Sequence, residues 1–234
     1  MNNQNSVGTA PGTITLMMPN GLVYALQDWI DDKLYSTVEW QNGDAQPLSA
    51  MISGLSAVIT GGARSNTEVD TNVPKDGNAG LPKDYQFHVY GWGIKLVRAT
   101  RVTPPATTIT DLSTFSDPVA LRTFFEIDRR LFFQYVYNRK EYTEGVIQDY
   151  PQGHGIYLVT TQTATEIAQN GIPSPRDRVA LVLPVIHREN LDFKGLFRPM
   201  IALSIAQPAS DGGADLPVVD MKLYSYGLLQ RTVR

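Results

Sequence analysis

The stretch Tyr85-Gln-Phe-His-Val-Tyr-Gly-Trp-Gly-Ile-Lys-Leu-Val-Arg98 decides the fold class. Its residues alternate between apolar and polar as far as Tyr90, the pattern of a half-buried β-strand. Gly91 and Gly93 then break the alternation, and a glycine inside a strand marks a bulge or a close backbone approach. Trp92 between them therefore indicates either a β-bulge that re-aims one large side chain or a surface aromatic.

The same pattern continues to the C-terminus, with runs of β-branched and aromatic residues closed by Gly, Pro, Asn or Asp. A hairpin is predicted around Asn138-Arg139-Lys140. Pro184 predicts an edge or bulged strand, because proline cannot donate to a ladder. The predicted strands are 13–18, 48–60 (one strand or a pair), 85–98, 131–138, 141–148, 156–163, 178–186, 193–207 and 217–233.

Two segments predict helices. Between Gln27 and Trp40 the apolar residues fall at helical spacing, although Thr37 and Val38 suit a strand equally well. Ser116-Asp-Pro-Val119 is typical of a helix start, with proline at the first helical position, and this helix would end near Ile127.

About eight strands with one or two short helices in their connections predict an all-β antiparallel sandwich or barrel. We expect one domain, residues 13–234, preceded by a flexible arm at residues 1–12, which are too poor in apolar groups to order alone. The long loop at residues 63–82 is also notable, because loops of this length usually have a function.

Composition narrows the choice of function. The 234 residues include 20 basic and 23 acidic side chains, so no nucleic-acid-binding surface is predicted. Cysteine is absent, which excludes disulfides, thiolate metal sites and a cysteine nucleophile. We expect no signal peptide, because the N-terminus lacks charge and an apolar core, and no transmembrane segment, because no apolar run is long enough.

No group of residues predicts catalysis, so we expect no enzyme, no cofactor and no resident metal. His88, His154 and His187 have no ligands beside them in sequence. A cation, if bound, would use loop oxygens such as those of Asp70, Asp76 or Asp211. The carboxylate pairs are better explained as solvated faces, and the aromatic residues between 124 and 137 as core. The pairs considered are Asp28 with Asp32, Glu126 with Asp128, and Glu141 with Glu144.

The layout of turns resembles that of single jelly-roll coat proteins of tailless icosahedral viruses, especially those infecting bacteria. The resemblance covers most of the chain from about residue 50 and depends on turn placement rather than on a diagnostic motif. The segments that carry it are Ser65–Asn78 with Leu81-Pro82 leading into Tyr85–Leu96, the turn Pro151-Gln-Gly-His-Gly155, Leu191–Ser204, and Leu223–Arg231.

This resemblance implies a jelly-roll sandwich that self-assembles into an icosahedral capsid in the virion after synthesis in the host cytoplasm. Its partners would be copies of itself, as trimers, pentamers or hexamers, together with other capsid proteins. The uncharged arm departs from coat proteins that bind the genome through a basic arm. Candidate residues for intersubunit ion pairs are Arg129, Arg130, Arg139, Lys140, Arg231 and Arg234.

Two other functions fit an all-β chain. A carbohydrate- or receptor-binding module, such as a phage spike head or a lectin, would expose Trp40, Trp92 or several tyrosines beside Asp and Asn. A β-sandwich hydrolase would require two converging carboxylates, which the sequence does not single out.

Overall fold

A computed structural model shows an all-β chain. Within the described residues it contains fourteen strands, a 3₁₀ turn at Ile147–Asp149 and a helical turn at residues 126–130. The structure describes residues 15–17, 23–25, 29–41, 46–51, 57–62, 64–74, 80–103, 106–111, 114–115, 126–150, 157–160, 166–169, 179–200 and 218–231. The strands are β1 Thr15–Met17, β2 Val23–Ala25, β3 Trp29–Gln41, β4 Leu48–Ala50, β5 Tyr85–Thr103, β6 Ala106–Asp111, β7 Thr114–Phe115, β8 Leu131–Tyr137, β9 Lys140–Val146, β10 Tyr157–Thr160, β11 Glu166–Gln169, β12 Val179–His187, β13 Phe193–Pro199 and β14 Val218–Arg231.

Two antiparallel sheets form a sandwich. The first has the order β12-β5-β14-β3, with β6 also paired to β5, and the second has the order β4-β13-β8-β9. Of the eight strands named in these two orders, the first along the chain pairs with the last, β3 with β14. The second pairs with the seventh, β4 with β13; the third with the sixth, β5 with β12; and the fourth with the fifth, β8 with β9. Smaller sheets are formed by β1 with β2 and by β10, β11 and β7.

The core lies between the inner faces of the two sheets. The rings of Trp92 in β5 and Tyr135 in β8 contact each other across the sandwich, with centroids 4.7 Å apart. Both side chains are fully buried. The other large core residues of the two sheets are Leu34, Val38, Trp40, Phe87, Ile94, Val219, Met221 and Leu223 in the first, and Phe133, Phe193 and Phe197 in the second.

The deciding stretch forms most of β5, so the predicted strand is confirmed. The structure adds that β5 lies in the interior of its sheet. Its pairing with β14 shifts register where Tyr226 is opposite Gly91 and Gly227 is opposite Val89, so a bulge lies at Tyr90–Gly91. Trp92, directly after the bulge, has 0% exposure. It is therefore a core residue, and its interpretation as a surface aromatic was wrong.

The helix predicted between residues 27 and 40 was wrong, because residues 29–41 form β3. From Leu34 to Trp40 both faces of this strand are largely covered, which removes the apolar–polar alternation that would identify a strand. Without that alternation, the apolar residues between Gln27 and Trp40 fall by coincidence at helical spacing. The second predicted helix stays a prediction, because residues 116–125 lie outside the described residues; residues 126–130 form a helical turn at its expected end.

Two local predictions were confirmed. The β8–β9 hairpin closes with a two-residue turn at Asn138 and Arg139, whose φ angles of 47° and 64° are those of a type I′ turn. Pro184 lies in β12, an edge strand whose pairing with β5 is interrupted between Ala180 and Val185.

We expect Gly195→Ala to destabilise the sandwich. Gly195 is buried in β13, and an added Cβ would lie 2.3 Å from Cδ2 of Leu223 in the opposite sheet. Overpacking of this kind costs about 1–3 kcal/mol of unfolding free energy, which urea denaturation would measure. Lys194→Ala, at the neighbouring half-exposed position, is the control, and an equal loss there would contradict the explanation.

Candidate functional site

The best-built polar site lies where a loop crosses the edge of the first sheet. We call residues 57–62 and 64–73 the strap. Its first part runs parallel to β3 and its last part antiparallel, with Thr60 opposite Val38 and Thr71 opposite Ser36. The strap therefore lies along the free edge of β3, the last strand of its sheet.

The strap turns back on itself at Gly61 and Gly62. Gly61 has φ of 83°, and a Cβ there would lie 2.0 Å from the carbonyl oxygen of Glu39. The amide of Ile59 donates to the carbonyl of Arg64 at 2.9 Å, which closes the turn. This close approach requires glycine and places Arg64 over the sheet.

Arg64 binds three carboxylates from three parts of the chain. Its Nη1 and Nη2 donate to the two carboxylate oxygens of Asp70, at 2.6 and 2.8 Å. Its Nε donates to Glu39 of β3 at 2.6 Å, and Nη2 also donates to Asp220 of β14 at 3.3 Å. Glu39 and Asp220 lie directly opposite each other in the β3–β14 ladder, where two like charges repel. Arg64 therefore neutralises a pair that would otherwise destabilise the sheet.

Electrostatics favour the charged forms of Arg64 and Asp70. Burial alone would raise the pKa of Asp70, but hydrogen bonds from Arg64 and from Thr67 outweigh burial and hold that pKa well below its ordinary value. Both the backbone amide and the hydroxyl of Thr67 donate to Asp70, at 3.0 and 2.8 Å. The hydrogen bond to Asp70 raises the pKa of Arg64, against the opposing effect of burial.

A second group of contacts holds the middle of the strap. Lys222 of β14 donates from Nζ to the carbonyl of Val69, and the same Nζ lies 4.9 Å from the ring centroid of Tyr35. The Tyr35 hydroxyl donates to the carbonyl of Glu68 at 2.5 Å. The strap is thus fixed by polar contacts to both β3 and β14.

The arrangement is a structural clasp rather than a ligand site. Oδ1 of Asp70 accepts from Arg64, and Oδ2 accepts from both Arg64 and Thr67, so the Asp70 oxygens suggested for a cation are already hydrogen-bonded within the chain. Asp76 and Asp211 lie outside the described residues. In the part of the chain that the structure describes, no group of three or more His, Asp or Glu side chains could hold a metal ion. That part also contains no helix long and apolar enough to cross a membrane.

The predicted contact residues whose side chains the structure describes lie near the two ends of β8. Arg129 and Arg130 are exposed just before β8, and Arg130 Nε donates to Glu126 at 2.7 Å. Arg139 and Lys140 are exposed at the hairpin at the other end of β8. The remaining two are Arg231, the last residue of β14, whose side chain is not described, and Arg234, which lies outside the described residues.

Comparison with known proteins provides no relative. No family model, curated protein or solved structure matches this chain significantly. Its function must therefore be inferred from its own residues and strand order.

Of the six aromatic residues between positions 124 and 137, Phe133, Tyr135 and Tyr137 on the inner face of β8 are buried in the core, and Phe132 is only partly buried. The ring of His187 lies between those of Tyr135 and Phe193, with centroids 5.7 and 4.7 Å away, and all three residues are fully buried. Phe133 is fully buried as well, and Phe124 and Phe125 lie outside the described residues. These contacts agree with core packing.

Among the carboxyl groups in the described part of the chain, Asp128 stands out because its environment opposes its charge. Burial raises its pKa to about 6, with a further contribution from Asp149 and an opposing one from Arg129. Asp149 accepts a hydrogen bond from the amide of Val146 at 3.1 Å, which keeps its carboxylate near the start of the 3₁₀ turn. Asp128 and Asp70 therefore have opposite effects on stability as the pH changes.

Sequence reasoning singled out the loop but not the clasp. Arg64 is the only basic residue between positions 57 and 74, a stretch that also contains Glu68 and Asp70. A single arginine near two acidic residues is the sequence feature that could have indicated an ion pair in this loop. That Glu39 and Asp220 also converge on Arg64 depends on the β3–β14 register, which local sequence does not reveal.

We expect Asp70→Asn to lower the unfolding free energy by about 2 kcal/mol at pH 7, because it removes a charge-assisted pair of hydrogen bonds. The folded pKa is depressed, so this contribution is complete above the unfolded pKa of about 4 and is lost at lower pH. Urea denaturation between pH 2 and 7 would measure this, with exposed Glu141→Gln as control. If the difference in unfolding free energy between the variant and the native chain did not change with pH, the ionic explanation would be contradicted.

Asp128→Asn should have the opposite pH signature. Because the folded pKa of Asp128 is raised to about 6, its ionisation at higher pH reduces stability. The variant should gain about 1 kcal/mol over the native chain at pH 8, after allowance for solvent screening, and nothing at pH 4. The same denaturation series with exposed Glu144→Gln as control would show this, and a loss of stability at pH 8 would contradict it.

Proposed function

We propose that this protein is a structural coat subunit: a jelly roll that self-assembles into a viral capsid shell. The observation that carries the proposal is the strand pairing, first with last, second with seventh, third with sixth and fourth with fifth. A jelly roll is a double sheet of eight strands built from two Greek keys, and this nested order is the one expected when a long hairpin rolls up.

The surface suits repeated contacts between subunits. Val182 and Leu183 lie in the irregular part of β12 with exposures of 91% and 68%, and Met200 follows β13 with 64%. Exposed apolar side chains favour contact with a protein partner where they form a contiguous patch, and Val182 and Leu183 are adjacent in the chain. The proposed partners are copies of the same chain and other capsid proteins, in a virion assembled after synthesis in the host cytoplasm.

A role in assembly also agrees with how the converging polar groups are used. Glu39, Asp70 and Asp220 converge on Arg64, where they hold the strap to the sheet. Their contacts support a structural role.

A binding module is the second candidate function. The observation that favours it is an open cleft of about 440 Å³ lined by Asp84, Tyr85, Gln86, Arg188, Glu189 and Gln230. Trp40 and Trp92, which such a module would expose, both have 0% exposure. Tyr85 is the one aromatic residue among those that line the cleft, whereas a module of this kind would present several, so the coat function is preferred.

The test is the assembly state of the purified full chain, measured by sedimentation velocity across concentration with electron microscopy of the fastest fraction. The coat function predicts trimers, pentamers, hexamers or closed particles. A monomer at every concentration would count against it, and a glycan-binding screen would then test the binding module.

Deletion of residues 2–12 should impair assembly and leave the melting temperature of the subunit nearly unchanged, because these residues are predicted to be an arm. The full chain is the matched control in the same sedimentation series. A large fall in melting temperature would show instead that these residues belong to the folded domain.

A further inference from the structure

Each sheet of the sandwich ends in strands whose outer backbone groups need protection, because an open edge can pair with another chain. The second sheet ends in β4, which has only three residues, and in β9, which carries Lys140, Glu141 and Glu144. The first sheet ends on one side in β12, which is interrupted near Pro184. Its other end is β3, thirteen residues long and paired with β14 without a register shift.

The strap occupies the edge of β3 at alternate residues. The amides of Thr37 and Glu39 donate to the carbonyls of Asp70 and Thr60, both at 2.9 Å. The amide of Tyr35 donates to the side chain of Asn72 at 2.7 Å, and its carbonyl accepts from the amide of Asn72 at 3.2 Å. The outward-facing amides of Tyr35, Thr37 and Glu39 are therefore bound to the strap.

The strap has little apolar anchorage of its own between its two ends. Ile59 near one end and Val73 at the other are buried, whereas Val69 in the middle has 72% exposure. The middle is held by the Arg64 clasp and by Lys222. A segment with few buried apolar contacts can open while the rest of the domain stays folded.

We infer that the strap is a latched guard of the β3 edge, with Arg64 as the latch. When the latch is released, the strap separates from β3 while the two sheets remain folded, and the outer groups of β3 become free to pair with another strand. The inference concerns contacts within one chain, so it stands or falls independently of the proposed coat function.

Amide hydrogen exchange provides a control within the same strand. Successive N–H groups of a strand point to opposite sides, so the amides of Ser36 and Val38 face β14 while those of Thr37 and Glu39 face the strap. In the native chain we expect the Thr37 and Glu39 amides to exchange at least about tenfold faster than the Ser36 and Val38 amides. This exchange should occur through a local opening whose rate low concentrations of denaturant do not alter. The Ser36 and Val38 amides should exchange only by global unfolding.

Arg64→Gln should accelerate exchange at Thr37 and Glu39 by a further tenfold or so and leave Ser36 and Val38 within about twofold of the native chain. Arg130→Gln, which removes an exposed arginine paired only with Glu126 among the ion pairs described, is the matched control and should change none of these amides.

Two results would overturn the inference. Equal exchange of the two sets of amides in the native chain would show that the strap does not open separately. Acceleration of all four amides together in Arg64→Gln would show that Arg64 stabilises the whole domain. If that variant does not fold, the comparison of alternate amides in the native chain decides alone.

Discussion

The position of β14 is the constraint on which the rest of the structure depends. This last strand lies between β3 and β5, and it pairs with both along nearly its whole length. Its inward residues Val219, Met221 and Leu223 are fully buried in the core, so both its backbone and one of its faces are removed from water. The first sheet therefore cannot form until the two ends of the sandwich sequence have met.

The outer face of the same strand explains why an arginine holds the strap. Asp220 is almost fully buried and faces Glu39 across the ladder, so its charge needs a partner that can reach both carboxylates. The guanidinium group has five donors in a rigid plane, which lets it bind Asp70 with two nitrogens and still reach Glu39 and Asp220. A lysine at position 64 would provide a single point charge and could not form the two-nitrogen contact.

The parts of the fold that local sequence predicts are those determined by local chemistry. Apolar–polar alternation predicts the strand at residues 85–98. The Asn138-Arg139 turn follows from residues that tolerate left-handed backbone, and the edge strand follows from Pro184, which lacks a backbone donor. The incorrect helix prediction at β3 has a different cause. Thr37 and Glu39 are buried on the outer face of the strand because the strap covers them, and a segment distant in sequence cannot be read from the local apolar–polar pattern. For the same reason the clasp was not predicted, and only Asp70 was noted in advance.

The nested pairing of strands also determines the order in which the chain can fold as it is made. Trp29 of β3 pairs with Gln230 of β14, about two hundred residues later. At about 5–20 residues per second, a ribosome leaves β3 without this partner for roughly 10–40 seconds. The strap follows β3 by fewer than twenty residues, so it leaves the ribosome long before β14. Its backbone hydrogen bonds to β3 and the contacts of Arg64 with Glu39 and Asp70 do not involve β14. These contacts let the strap cover one side of β3 in the nascent chain, and those from Asp220 and Lys222 are added when β14 arrives.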